Sequence, residues 1–572
     1  MTTVIDQNTT APNTDASDAD EPEPLQVHLP EKWQLQAWQV GLVVACSLFF
    51  MYHNYMRLFY SDVWGHIAYG NWILDHQELP TSEPFVPLAE GVEVTATAWG
   101  GQILLALAGR GGGAEGYSAL FAVVTTLTYA VYALAFRMQI GRFGWACLAS
   151  FLVWAVNWGR HAVIRPEMFG GLCFAILIAC LIAADPRRKR DADDTSRTDN
   201  GQTPWFVWLA VPLVMTLWAN LHGSFVVGLV LLGCYTVGRG IEVLLSTGNL
   251  WAIFADRTFR RWVILTELAV VAACINPYGF DLLLHTLLFP QNPNLKDIME
   301  WYSLEMVSLE GITVGASWII TLVVLRHSRA ALRATDVVAF SVFTLAVIMR
   351  VRMVAWYGPV WMLMLAPHLR DVLEQIAATK PVQKLRDDSA VLFTRSPHYT
   401  LIAALVLWLA FAFSPVSKFV LGGKARADST LYHSDTPLAV TDYLRENPPS
   451  GLVAGPQWWG DWLAWDGPEG IQMMMTTNAV HVAPPQVWKD YLRIANATPD
   501  LSRRLDRYRV NTLIVHKELQ TDLERSVRRL PGWRVTYEDD LALIAVRGGE
   551  KTAEPDFVPA IPSPAVAEKP EI

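Results

Sequence analysis

The sequence predicts an α-helical polytopic membrane protein of about eleven transmembrane helices, carrying a small C-terminal α/β domain outside the bilayer. Three observations lead there. Of the 572 residues, 52% are hydrophobic and only 17% charged, where soluble domains hold about a quarter charged residues; the mean hydropathy is +0.24. Apolar runs of spanning length, roughly 17–25 residues, recur from residue 37 to residue 421. From about 430 to 547 the pattern changes to short apolar runs alternating with helical patterns, as in a small α/β layer. The 24 tryptophans suit a chain rich in membrane–water interfaces.

Residues 1–36 are rich in Asp, Thr, Pro and Glu with little to bury, and read as a disordered cytoplasmic tail. The first apolar run, 37–60, is too long for a signal peptide and lacks a basic leader, so it is expected to stay as a membrane helix. Further spans are expected near 116–136, 143–160, 167–184, 205–222, 224–247, 262–280, 310–326, 335–350, 353–370 and 399–421, which makes 37–421 one multi-pass domain. Residues 61–115 form a long first outer loop, within which the short, Gly-flanked stretch 99–109 reads as an interfacial or re-entrant helix. In 430–547, strands are expected at 451–454, 471–475, 511–515, 533–537 and 541–546, with helices at 436–446, 486–496 and 518–530. The Pro/Ala/Glu-rich tail 548–572 reads as disordered.

All six cysteines lie in apolar runs and no CxxC occurs, so they read as small buried hydrophobes rather than disulfides or metal ligands. No basic patch interleaved with aromatics points to nucleic acid. Orientation follows from the positive-inside rule. With the N-terminus inside, the inner loops hold 18 Lys and Arg against 6 in the outer segments, and the run Arg187-Arg188-Lys189-Arg190 is the strongest inner signal. This places the C-terminal domain outside, and in a bacterial cell the protein in the cytoplasmic membrane.

Under that topology the unusual polar residues gather on the outer side. Asp62 and His66, one helical turn apart, follow the first span. Arg160, His161 and Arg165-Pro166-Glu167 lie between the third and fourth. Asn220-Leu221-His222-Gly223-Ser224 joins the fifth and sixth, and Asn276-Pro277-Tyr278-Gly279 ends the seventh. Glu300-Trp301 precedes the eighth, and Arg350 and Arg352 mark the turn between the ninth and tenth. Ionisable groups at membrane depth are costly and are functional by default. Asp62 and His66 also suit a hydrated helix start, Asn276-Pro277 a plain helix stop, and Arg350 and Arg352 two snorkelling side chains.

A sugar carried on a polyprenyl phosphate leaves with a good leaving group. It asks for cationic neutralisation, from Arg and His, and for one general base toward the acceptor hydroxyl. Glycosidases, by contrast, use two carboxyls. Asp62 fits the base. His66, Arg165, His222, Arg350, Arg352 and Glu300 are the candidate substrate- and phosphate-binding residues. A divalent metal on Asp62, His66 and His222 is the alternative. In the C-terminal region Trp458-Trp459-Gly460-Asp461-Trp462 offers either aromatic faces for a sugar or a packed core.

This layout resembles the GT-C superfamily of polytopic glycosyltransferases, which use lipid-phosphate sugars and include protein O-mannosyltransferases and oligosaccharyltransferases. The resemblance rests on an acid just after the first helix, a long first outer loop and a soluble outer C-terminal domain. It extends to related bacterial multi-pass proteins through Asp62-Val63-Trp64-Gly65-His66, Leu79-Pro80-Thr81-Ser82-Glu83-Pro84-Phe85, Arg165-Pro166, Trp218-Ala219-Asn220-Leu221-His222-Gly223-Ser224, Asn276-Pro277-Tyr278-Gly279 and Glu300-Trp301. Many GT-C enzymes carry two adjacent acids in the first loop, whereas Val63 follows Asp62 here; Glu83 or Glu300 is then the candidate second acid. The resemblance implies a hexosyl or pentosyl transferase moving sugar from a polyprenyl-phosphate donor to an acceptor at the outer face, with the lipid-linked donor and membrane lipids as partners. The rival readings are a transporter or flippase of lipid-linked substrates and a non-catalytic membrane assembly protein. The charges sit at helix ends on one side, and no internal repeat of the kind transporters show is present.

Overall fold

The structure is a computed structural model that describes residues 29–59, 62–160, 163–185, 203–378 and 394–548. Ser61, His161, the basic run at 187–190 and most of both tails lie outside the described residues.

Every apolar segment carries a helix. The bundle runs through α1 (Ala37–Tyr55), α2 (Val63–His76), α3 (Trp99–Ile140), α4 (Phe143–Val156), α5 (Glu167–Ala184), α6 (Trp205–Leu221) and α7 (Phe225–Thr247). It continues through the short α8 (Leu250–Ala255), then α9 (Arg257–Ala273), α10 (Phe280–Leu288), α11 (Leu309–His327), α12 (Ala334–Met349), α13 (Val354–Ala377) and α14 (Pro397–Ala412). Among the described residues, four helices are long and apolar enough to cross a membrane: α3, α5, α7 and α11. Helices α4, α6, α12 and α14 are apolar but shorter. Helices α1, which holds the first expected span, α9 and α13 fall in neither group. The bundle is therefore a membrane unit, while a count of eleven crossings is more than length and hydropathy alone return.

Helix α6 shows how the apolar pattern is used. Val207, Val211, Val214 and Trp218 face the core, while Leu209, Leu213 and Leu217, at helical spacing, are 63%, 54% and 50% exposed. A leucine stripe left open on the outside of a packed bundle suits a lipid environment.

Helix α3 is two helices joined by a sharp bend. Gly113 has φ 55° and ψ −150° inside it, a region open essentially to glycine alone. The bend folds 99–112 back on the start of the following span, so that Gly109 lies against Tyr117 and Gly116 against the Ala108 carbonyl. Glycine at 109 and 116 leaves room for that approach. The first arm packs on α2 through Gly70 and Gln102. It also meets the ends of α5 and α6, where Gly100 lies against Asn220 and Gly101 against Pro166 and Leu221. The stretch 99–109 thus lies across one end of the bundle, which also holds Asp62 and the start of α5.

The opposite end is tied by separate ion pairs. Arg333 bridges Asp185 (2.5 Å) and Asp336 (2.6 Å), and Arg239 bridges Asp256 (2.7 Å) and Glu242 (3.0 Å). These join α5, α7, α9 and α12. There too β1 (Leu35–Gln36) pairs antiparallel with β2 (Arg395–Ser396), setting α1 beside α14.

The C-terminal part is a five-stranded sheet of β3 (Leu452–Ala454), β4 (Gln472–Met473), β5 (Val510–His516), β6 (Trp533–Glu538) and β7 (Ala542–Arg547), in the order β4-β3-β5-β7-β6. The pairs β3–β4 and β3–β5 are parallel, β5–β7 and β6–β7 antiparallel. Helices cover it, among them Gln457–Asp466, which the sequence pattern did not indicate. One apolar cluster joins this sheet to the bundle, running from Val453 and Ile514 through Trp459 and Trp462 to Trp64, Ile67, Leu105 and Phe121. Trp64 stacks on Trp465 at 4.6 Å between ring centroids and meets Trp462 edge-on at 4.7 Å. Trp459 and Trp462 are therefore core residues, their indole N–H groups donating to the Asp435 carbonyl and to Thr441.

Candidate functional site

Local structure places each charged group before any ligand is invoked. Asp62 is the N-cap of α2, where a carboxylate suits the positive end of the helix dipole. His66 stands one turn along. Glu167 opens α5 just after Pro166, a residue suited to a helix start. Arg165, forced out of the helix by the following proline, projects its side chain toward α2. Arg352 lies in the 3-10 turn Val351–Met353 between α12 and α13, and Glu300 in the 3-10 turn Met299–Trp301.

These residues form a chain of alternating charge. Arg165 donates from Nε to Asp62 Oδ1 (2.7 Å) and from Nη1 to Glu300 Oε1 (2.5 Å). Arg160 lies 3.7 Å from the same Glu300 oxygen and donates to Glu167 at 3.2 Å. Arg352 approaches Glu167 at 3.8 Å and lies over the Trp301 ring, 4.7 Å from its centroid. Three guanidiniums thus balance three carboxylates in a half-buried setting, where unpaired charge is costly. The arginines pull Glu300 down to about 2 against its burial, and the acids hold Arg165 above its ordinary value.

The second Asp62 oxygen faces His66 Nε2 at 3.9 Å. His66 Nδ1 takes a hydrogen bond from Gln102 (3.1 Å), which leaves the ring proton on Nε2, toward Asp62. His222 Nδ1 accepts from the Ser224 backbone N–H (3.1 Å) and lies 2.8 Å from its hydroxyl. Burial pushes both imidazoles down to about 4, so both are neutral at physiological pH.

Beside the charge chain lies a cavity of about 380 Å³. Arg160, Arg165, Glu167 and Glu300 line it at one end, and Phe121, Thr125, Thr128, Tyr129 and Tyr132 follow it down α3. A charged mouth at the end of the bundle therefore opens onto a slot walled by aromatic and hydroxyl side chains of a spanning helix.

Of the sequence candidates, Arg165 and Glu300 line this mouth, Asp62, His66 and Arg352 adjoin it through the ion-pair chain, and His222 lies beside Glu167. Arg350 is placed elsewhere: it turns to the carbonyl of Met349 (2.9 Å) and takes no part in the ion-pair chain. Glu83 is also apart, accepting hydrogen bonds from the Tyr69 hydroxyl and the Phe85 N–H in a buried niche that raises its pKa. Asn276 is a helix stop, bonding the Tyr278 N–H and the carbonyls of Ala273 and Gly279. Among the described residues no group of three or more His, Cys, Asp or Glu is arranged to hold a metal ion. Within the set Asp62, His66 and His222, one Asp62 oxygen is held by Arg165 and His222 Nδ1 by Ser224.

Two residues that the sequence placed on the outer side, but not among the candidate binding residues, belong to the site. Arg160 and Glu167 close the charge chain; their density in an otherwise apolar stretch was the available signal. From the C-terminal part, Asn478 donates to the Asp62 carbonyl (3.0 Å) and to Asp461 Oδ1 (3.1 Å), while Asp461 Oδ2 accepts from the Thr477 N–H (3.0 Å). Asp461 is fully buried, which pushes its pKa up to about 7. Gly65 leaves the space this contact needs, since a Cβ there would strike Asn478 and Asp461.

The overall fold, a helical bundle with a small sheet region docked on one end, has counterparts among solved structures. The oligosaccharyltransferase of Archaeoglobus fulgidus in its apo form aligns over 90% of this chain and 75% of its own, with a TM-score of 0.54 and 11% identity. The structure of AglB from A. fulgidus in complex with an inhibitory peptide and a dolichol-phosphate aligns over 84% and 70%, with a TM-score of 0.51 and 12% identity. The chain thus shares its fold with these oligosaccharyltransferase structures. No family model and no curated protein matches the sequence.

Proposed function

We propose that this chain is a membrane glycosyltransferase that moves a hexosyl or pentosyl group from a polyprenyl-phosphate donor to an acceptor at the outer face of the cytoplasmic membrane. The observation that supports this most is the charge chain from Asp62 to Arg352 at the mouth of a slot formed by a spanning helix. A phosphate wants guanidinium donors, its isoprenoid tail wants an apolar wall, and here the two adjoin. Arg165, Arg160 and Arg352 would hold the phosphate and the charge that grows on it as the glycosidic bond breaks. Asp62, with one oxygen fixed by Arg165 and the other free toward His66, would take the proton of the acceptor hydroxyl. His66, neutral and held by Gln102, would orient that second oxygen. The fold likeness to oligosaccharyltransferases agrees with the reading without settling donor or acceptor.

The test compares lipid-linked sugars and envelope glycans in cells with and without the gene. An accumulated lipid-linked donor and a missing glycan are expected in its absence. Unchanged lipid-linked sugars together with substrate uptake by vesicles holding the protein alone would favour a transporter.

A further inference from the structure

The guanidiniums of the site converge on a carboxylate that does not belong to the bundle's helices. Glu300 sits in a three-residue turn between α10 and α11. Its Oε1 is 2.5 Å from Arg165 Nη1 and 3.7 Å from Arg160 Nη1, with Arg352 over the adjoining Trp301. Its side chain keeps 29% of its surface open at the cavity mouth. The other two acids are built in differently, Asp62 capping α2 and Glu167 opening α5. The backbone beside Glu300 is pinned by the bond from the Val351 N–H to the Tyr302 carbonyl (2.9 Å), so the side chain can rotate away without moving the bundle. When it does, Arg160, Arg165 and Arg352 face Asp62 and Glu167 alone, and one positive charge is left over.

We propose that Glu300 is a built-in stand-in for the donor's phosphate: the donor enters by displacing this carboxylate, and the ligand that fits carries one negative charge, as a phosphodiester joining a sugar to a lipid does. The inference rests on the phosphate-clamp reading given above. A phosphodiester replaces a carboxylate charge for charge and offers the same kind of oxygen acceptors to the same guanidiniums. A lipid diphosphate brings more charge than Glu300 gives up. With the carboxylate in place the three guanidiniums are matched by three carboxylates, which spares the bundle one uncompensated positive charge at its edge.

The experiment uses the full-length protein in detergent and two probes, dodecyl methyl phosphate with one charge and dodecyl diphosphate with more, with binding followed by calorimetry. Glu300→Gln keeps the shape of the side chain and removes its hold on the arginines, so it is expected to bind the phosphodiester about tenfold more tightly than the wild type. Asp281→Asn removes an exposed carboxylate of α10 that does not line the cavity, and is expected to change affinity by less than about twofold. The wild type is expected to prefer the phosphodiester to the diphosphate. Equal affinity in wild type and Glu300→Gln, or an equal gain in Asp281→Asn, overturns displacement; a preference for the diphosphate overturns the charge match. Arg165→Gln separates the two levels. If it binds the phosphodiester as the wild type does, the clamp itself is wrong. If it binds weakly while Glu300→Gln gains nothing, only the stand-in is wrong.

Discussion

Asp62 has two oxygens in unlike surroundings. Arg165 fixes one at 2.7 Å and the other faces a neutral imidazole at 3.9 Å. Asp62→Asn retains an oxygen for Arg165 and loses the charge, so transfer is expected to fall by about 10²–10⁴ with membrane insertion unchanged. Incorporation of labelled sugar in isolated membranes measures it. Glu300 gives a pH signature of opposite kind. Its carboxyl is held at about 2 in the empty site, against an ordinary 4.5. Once displaced it regains its ordinary affinity for protons, so phosphodiester binding takes up a proton below that ordinary value. Affinity of the wild type is therefore expected to rise as pH falls through the range between about 4.5 and 2, and to stay flat in Glu300→Gln; calorimetry over that range reads the difference. At this scale the sequence told part of the story. One-sided clustering singled out Asp62 and Arg165, but Arg350 and Arg352 are two residues apart and only the 3-10 turn decides which of them turns inward.

At the scale of elements, the glycines carry most of the argument. Gly113 bends α3 with a positive φ, and a side chain there would meet open space. Gly113→Ala is therefore expected to cost about 1 kcal/mol of stability from backbone conformation alone, seen as a lower melting temperature in detergent. Gly65 is the contrary case, a glycine whose Cβ would collide with Asn478 and Asp461. Gly65→Ala is expected to loosen the C-terminal region from α2 by about 1–3 kcal/mol, with faster trypsin cleavage between α14 and β3 as the readout. Asn478→Ala removes the bond to the Asp62 carbonyl. A loss of about 1 kcal/mol together with slower transfer would show that this contact positions the acid. The bundle helices and the strands were legible because long apolar runs and short alternating ones are distinct in the sequence, while four of the described helices are long and apolar enough to span. The contact of Asn478 with Asp62 was not legible, because 416 residues separate the partners and no local pattern records such a meeting.

At the scale of the whole molecule, charge is sorted to two ends. One end carries the chain from Asp62 to Arg352 under the docked sheet, and the other the ion pairs of Arg333 and Arg239 with their acids. From the positive-inside pattern we propose that the first end faces outward. A single cysteine placed at exposed Asp442, in a variant with its six native cysteines changed to Ser or Ala, is expected to react with an impermeant maleimide in intact spheroplasts. Labelling only after the membrane is opened would reverse the orientation and place the site on the inner face. The central claim is that Asp62 serves a lipid-phosphate sugar transfer at the mouth of the α3 slot. Its most direct measurement is turnover of the lipid-linked sugar pool in membranes holding wild type or Asp62→Asn at equal abundance. The account predicts that the wild type consumes the donor and builds the glycan, while the variant accumulates the donor; equal consumption by both would contradict it.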